Sequence, residues 1–62
     1  MRVYEKISEY LIKNGISEKD VTEKSGIPFE SLAQMLNGSK ILHADEFREI
    51  CIALNVKPEI FV

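Results

Sequence analysis

Between Ser17 and Leu36 the sequence SEKDVTEKSGIPFESLAQML allows two short helices with one tight turn between them, and this constrains the chain more than any other segment. Ser17 is a favourable N-cap. Asp20, three residues on, stands where a capping-box acid reaches back to the cap amide, so a helix is predicted over residues 18–25. Gly26 follows where a helix end favours a residue tolerant of positive φ. Pro28 then holds φ at a value suited to a helix's first turn and biases Ile27 away from helical backbone, which predicts a second helix over residues 28–36.

In that second helix Leu32, Met35 and Leu36 share one face at 3.6-residue spacing, while Glu30, Ala33, Gln34 and Asn37 lie on the opposite one. The first set is predicted core, and the second is free to touch a partner. A helix pair with a short glycine turn and an outward second helix is the arrangement that puts a helix into the major groove of DNA.

The remaining chain extends the helical pattern. Val3, Ile7, Tyr10 and Leu11 form an apolar stripe over residues 3–13, with Glu5, Lys6, Glu9 and Lys13 largely outside it, and Asn14-Gly15 ends that helix. Ile16 is placed to pack against Val21 as a hydrophobic staple. Asn37-Gly38 closes the helix that carries Gln34. After a short connection, Ala44, Phe47, Ile50, Cys51 and Leu54 recur at helical spacing through ADEFREICIAL. Asp45 and Glu46 sit in its first turn, where the helix dipole favours negative charge, and Asn55 closes it. Pro58 is predicted to open a last turn that lays Ile60 and Phe61 on the core. The expected fold is all-α, one domain over residues 1–62 with the two-helix motif at about 17–36.

Composition narrows the function classes. A chain of 62 residues buries only about 60% of its unfolded surface, so a large enclosed catalytic pocket is not expected. One cysteine makes no internal disulfide, and a reducing cytoplasm is the expected setting. There is no apolar run of membrane-spanning length, and MRVYEKISEY lacks the continuous apolar core of a signal peptide. Cys51 and His43 each lack the companions that a metal or catalytic site needs: Cys51 is predicted to be a buried thiol and His43 to help cap the helix after it. No catalytic residues, metal or cofactor are expected, and no enzyme. The formal charge is −2, the wrong sign for binding nucleic acid by bulk attraction alone.

SEKDVTEKSGIPFESLAQMLNGSK followed by EFREICIALNVKPEIF resembles the Cro and phage-repressor type of helix-turn-helix, the XRE or lambda repressor-like family, over nearly the whole chain. The likeness rests on the Ser-x-x-acid start at Ser17, the turn Gly26-Ile27, the Asn37-Gly38 pair and the closing run Ile50 to Val56. It implies a compact bundle of four to five helices, usually dimeric on double-stranded DNA, that regulates transcription in bacteria and phages. Carried over by position, Phe29, Glu30, Ser31, Ala33 and Gln34 fall at or near base edges, and Ser17, Glu18, Asn37, Ser39 and Lys40 near phosphates.

Among these residues Gln34 is the best base reader, since a side-chain amide can make two hydrogen bonds to adenine. Glu30 is either an acceptor for cytosine N4 or a solvated glutamate. Phe29 either contacts a thymine methyl or is partly buried beside Leu36. Asn37 and Gly38 are candidates to present amides to a phosphate, and Lys19, Lys24 and Lys40 form either a small phosphate-binding fringe or an ordinary solvated surface. The family resemblance meets departures here: Glu18 stands where the family often has Gln, and the segment from Ser17 to Lys40 carries four carboxylates against three lysines, a net of −1. Two functions therefore remain in view, a sequence-specific DNA-binding regulator and a protein-interaction module that keeps the fold without DNA. Leu42, Ile52 and Val62 are expected to be partly exposed and are candidates for a homodimer seam.

Overall fold

Four α-helices occur in the predicted order in the computed structural model, which describes residues 2–62: α1 over Val3–Lys13, α2 over Glu18–Ser25, α3 over Phe29–Leu36 and α4 over Ala44–Leu54. A single 3-10 turn, Pro58–Phe61, closes the chain, and no strand occurs among the described residues. α2 packs on both α3 and α4, α1 packs on α3, and the 3-10 turn seats on α1 and α4.

The predicted stripes supply the core. Ile7 and Leu11 of α1, Val21 of α2, Leu32, Met35 and Leu36 of α3, and Ile50 and Cys51 of α4 are all buried, joined by Ile27 from the interhelical turn and Phe61 from the end of the chain. No helix among the described residues is long and apolar enough to cross a membrane.

The capping acids differ from expectation. Ser17 caps α2 with its hydroxyl, accepting from the Asp20 N–H at 3.1 Å, but the reciprocal carboxylate bonds belong to α1 and α4. There Glu5 accepts from the Arg2 N–H at 2.8 Å and Glu46 from the His43 N–H at 3.2 Å. The longer reach of glutamate accounts for this: its carboxylate spans the turn back to the cap amide, and aspartate is one methylene shorter. His43 occupies the N-cap position of α4, as predicted.

At the other end of the chain, Phe61 alone turns inward. Its ring stands edge-on to Tyr10 with centroids 5.5 Å apart and to Phe47 at 6.2 Å, whereas Ile60 is 51% exposed. The expectation that both residues lie on the core is thus corrected: a single 3-10 turn brings one of two consecutive side chains to the body and directs the other to solvent. Leu42 packs partly against the core, while its neighbour Ile41 is 73% exposed.

Phe61→Ala is expected to cost about 3–5 kcal/mol in urea unfolding and Ile60→Ala about 0.5 kcal/mol or less. A second test concerns Cys51, whose thiol burial pushes its pKa up. The unfolded thiol ionises at lower pH than the folded one, so this contribution to stability is complete below the unfolded thiol's range and is lost as pH rises through the folded value. Alkylation of Cys51 is expected to be slow in the native protein and rapid in denaturant, read by mass spectrometry.

Candidate nucleic-acid interface

The angle between α2 and α3 is set by residues 25–28. Gly26 takes φ 80° and donates its N–H to Thr22 O at 2.9 Å, ending α2. Ile27 donates its N–H to Ser25 Oγ at 3.2 Å and buries its side chain, so the turn is pinned from within. Pro28, at φ −55° and ψ 140°, is the cap of α3 rather than its first residue, and its carbonyl accepts from the Leu32 N–H at 2.9 Å. The helix therefore starts at Phe29, one residue later than predicted, because the extended ψ of Pro28 keeps it outside the helix. Ile16 is half-buried against the core that holds Val21, and both line one depression together with Ala53 and Leu54.

α3 has its apolar face turned fully inward, with Leu32 and Met35 at 0% exposure. Glu30, Gln34 and Asn37 are exposed on the opposite face, and Ser31 and Ala33 are half-buried along its margins. Phe29 is 54% exposed, so the first residue of α3 leaves much of an aromatic ring in solvent beside Glu30. Lys40, from beyond the end of α3, reaches back to its first turn, its ammonium donating to Ser31 Oγ at 3.2 Å. Five candidate base-edge residues thus share one helix, with Phe29, Glu30 and Gln34 the most open.

The turn after α3 is internally bonded. Asn37 donates its N–H to Ala33 O at 3.1 Å, Gly38 to Met35 O at 3.4 Å, Ser39 to Gln34 O at 2.9 Å and Lys40 to Gln34 O at 3.1 Å. Ser39 N–H also approaches Asn37 Oδ1 at 2.8 Å. The amides of Asn37 and Gly38 thus serve the helix end, and the exposed donors left on the turn are the Asn37 amide group, the Ser39 hydroxyl and the two N–H groups of the Lys40 ammonium beyond its bond to Ser31 Oγ. Ser17, Glu18 and Lys19 lie at the start of α2, with Glu18 half-buried and Lys19 exposed.

Two contacts from α1 at the end of α3 were not anticipated. Ser8 donates its hydroxyl to Leu36 O at 2.9 Å, and the Tyr4 ring lies against Gly38, where an added Cβ would sit 2.7 Å from the ring carbon Cζ and from the hydroxyl. Neither residue belongs to the apolar stripe of α1, so periodicity carries no signal for them. Among the described residues there is no group of three or more His, Cys, Asp or Glu arranged to hold a metal ion.

A helix-turn-helix family model matches residues 7–61. The chain belongs to the XRE-type, lambda repressor-like helix-turn-helix family. Members of this helix-turn-helix family are DNA-binding transcription regulators. No curated protein and no solved structure matches the chain significantly.

The two helix-ending glycines of this helix-turn-helix separate backbone strain from contact. Nothing lies within 4 Å of a Cβ added at Gly26, so Gly26→Ala is expected to cost only the positive-φ strain, about 1–2 kcal/mol. Gly38→Ala carries similar strain at φ +86° and also drives into the Tyr4 ring, so it is expected to be the more destabilising in urea unfolding. Ser17→Ala is expected to cost about 1 kcal/mol through the lost cap.

Proposed function

We propose that this protein is a sequence-specific transcription regulator of the Cro and phage-repressor type, in which α3 reads the major groove of double-stranded DNA. The observation that carries this reading is the division of α3 into a fully buried apolar face and an open face bearing Glu30, Gln34 and Asn37, within a family of DNA-binding regulators. Gln34 is the principal base reader, with Phe29, Glu30, Ser31 and Ala33 shaping the contact on either side. Ser17, Glu18 and Lys19 at the start of α2 and Asn37 to Lys40 after α3 face the two flanking backbones, where contacts position the protein without reading sequence. Two copies bind half-sites about one helical turn apart, joined through exposed apolar side chains such as Ile52 and Val62.

A protein-interaction role is the second reading, supported by the exposed Phe29 ring within a segment, Ser17 to Lys40, of net charge −1. Selection of bound sequences from a randomised duplex pool at low salt, beside a DNA-binding domain of known specificity, separates the two. Enrichment of a two-fold symmetric motif supports the regulator; no enrichment beside a working control overturns it.

With a preferred duplex in hand, Gln34→Ala is expected to lose about 1–3 kcal/mol on that sequence and far less on random duplex. Lys40→Ala is expected to weaken both alike and reduce the slope of log affinity against log salt by about 1. Equal losses on both sequences for Gln34→Ala would remove direct readout by that residue.

A further inference from the structure

Tyr4 and Ser8 are four residues apart on α1, so their side chains share one face of that helix. That face meets the end of α3 at two successive points. The Ser8 hydroxyl donates to the carbonyl of Leu36, the last residue of α3, at 2.9 Å, and the Tyr4 ring covers Gly38 in the turn that follows. A side chain at Gly38 would require Tyr4 to move: the ring carbons Cζ and Cε2 and the hydroxyl oxygen lie within 3.0 Å of where a Cβ would be. Tyr4 also lines the open groove toward Leu42 and Phe47 on one side and the groove toward Glu9 and Ile12 on the other. With open space on both flanks, the ring is the wall between two depressions and supports the turn at this point.

The turn carries the outward donors of Asn37, Ser39 and Lys40. Its backbone amides bond to the carbonyls of Ala33, Gln34 and Met35 in α3, and Tyr4 adds a contact that reaches the turn from another helix. We propose that Tyr4 is a positioning residue for the phosphate-facing turn: its ring, outside the helix-turn-helix motif, sets where Asn37, Ser39 and Lys40 meet the DNA backbone. This rests on the DNA-reading function proposed above and adds to it a residue of α1 that acts through packing. The contact is made by the hydroxyl end of the phenol, and phenylalanine keeps Cζ and Cε2, two of the three atoms nearest the added Cβ, so the ring is the larger part of it.

Tyr4→Phe keeps the ring and Tyr4→Leu removes it, so the two variants separate the parts. Thermal melts first fix a temperature at which wild type and both variants are folded. In proton–nitrogen spectra without DNA, the Gly38 amide is expected to shift in Tyr4→Leu and to stay in place in Tyr4→Phe, because an aromatic ring over a backbone group perturbs its resonance. On preferred and random duplex alike, Tyr4→Leu is expected to bind about ten-fold more weakly, the loss of one charge-assisted phosphate contact, with a shallower salt dependence. Tyr4→Phe is expected to match wild type in both affinity and salt slope, a result that a role for the hydroxyl as a direct phosphate donor does not give. Tyr4→Leu that binds as wild type overturns the positioning role, and Tyr4→Phe that loses as much as Tyr4→Leu overturns it in favour of direct contact by the hydroxyl. Wild type that binds no duplex at all overturns the regulator reading and this proposal with it, whereas either of the first two outcomes leaves the regulator standing.

Discussion

The burial of Leu32, Met35 and Leu36 is the interaction on which the rest depends. A helix of eight residues is too short to be stable on its own in water, so α3 exists because these three side chains are enclosed by α1, α2 and the body of the domain. The same enclosure decides which way the other residues of α3 point. Rotation about the helix axis by a single residue's step would expose a leucine and bury Glu30 or Gln34, a double cost from lost apolar burial and from an uncompensated polar group. The outward face is therefore as well defined as the core, although nothing covers it.

The helices were legible because the chain marks both kinds of boundary with chemically distinct residues. Ser17 at the start of α2, and Gly26, Gly38 and Asn55 at the ends of α2, α3 and α4, have few alternative readings once apolar residues recur at helical spacing between them. The misjudged details lie where spacing does not determine direction. Asp20 has the position of a capping-box acid but not the length, Pro28 has a helical φ but an extended ψ, and Ile60 adjoins a buried aromatic without sharing its direction. The buttress from Tyr4 and Ser8 was hidden for a related reason. It joins residues more than twenty-five positions apart and uses a phenol ring and a hydroxyl, neither of which marks a helical stripe. Of the candidate interface, the helix, its outward residues and the helix-closing role of Asn37-Gly38 could be read from the sequence; that the Gln34 carbonyl takes the amides of both Ser39 and Lys40 could not, because that depends on how the helix ends in three dimensions.

Charge gives the proposed function its character. With ten carboxylates against eight lysines and arginines, the domain has no strong long-range pull on a polyanion. Under the proposed function, association through α3 relies on a few positioned donors and on shape, so a modest displacement of the turn after α3 matters more than it does in a protein surrounded by spare lysines. Few cations also mean weak holding on unrelated duplex, which favours discrimination over residence.

One bond pattern at the end of α3 has an evolutionary consequence. The carbonyl of Gln34 receives the amides of both Ser39 and Lys40, while its side chain points away from the domain. The backbone of position 34 thus ties down the turn, and its exposed side chain takes no part in that bond pattern. A carbonyl is supplied by every amino acid, so any replacement that keeps α3 helical preserves the tie. A lineage of this domain is free to exchange the side chain at 34, and with it, under the proposed function, the base preferred, without rebuilding the frame of the turn that follows α3.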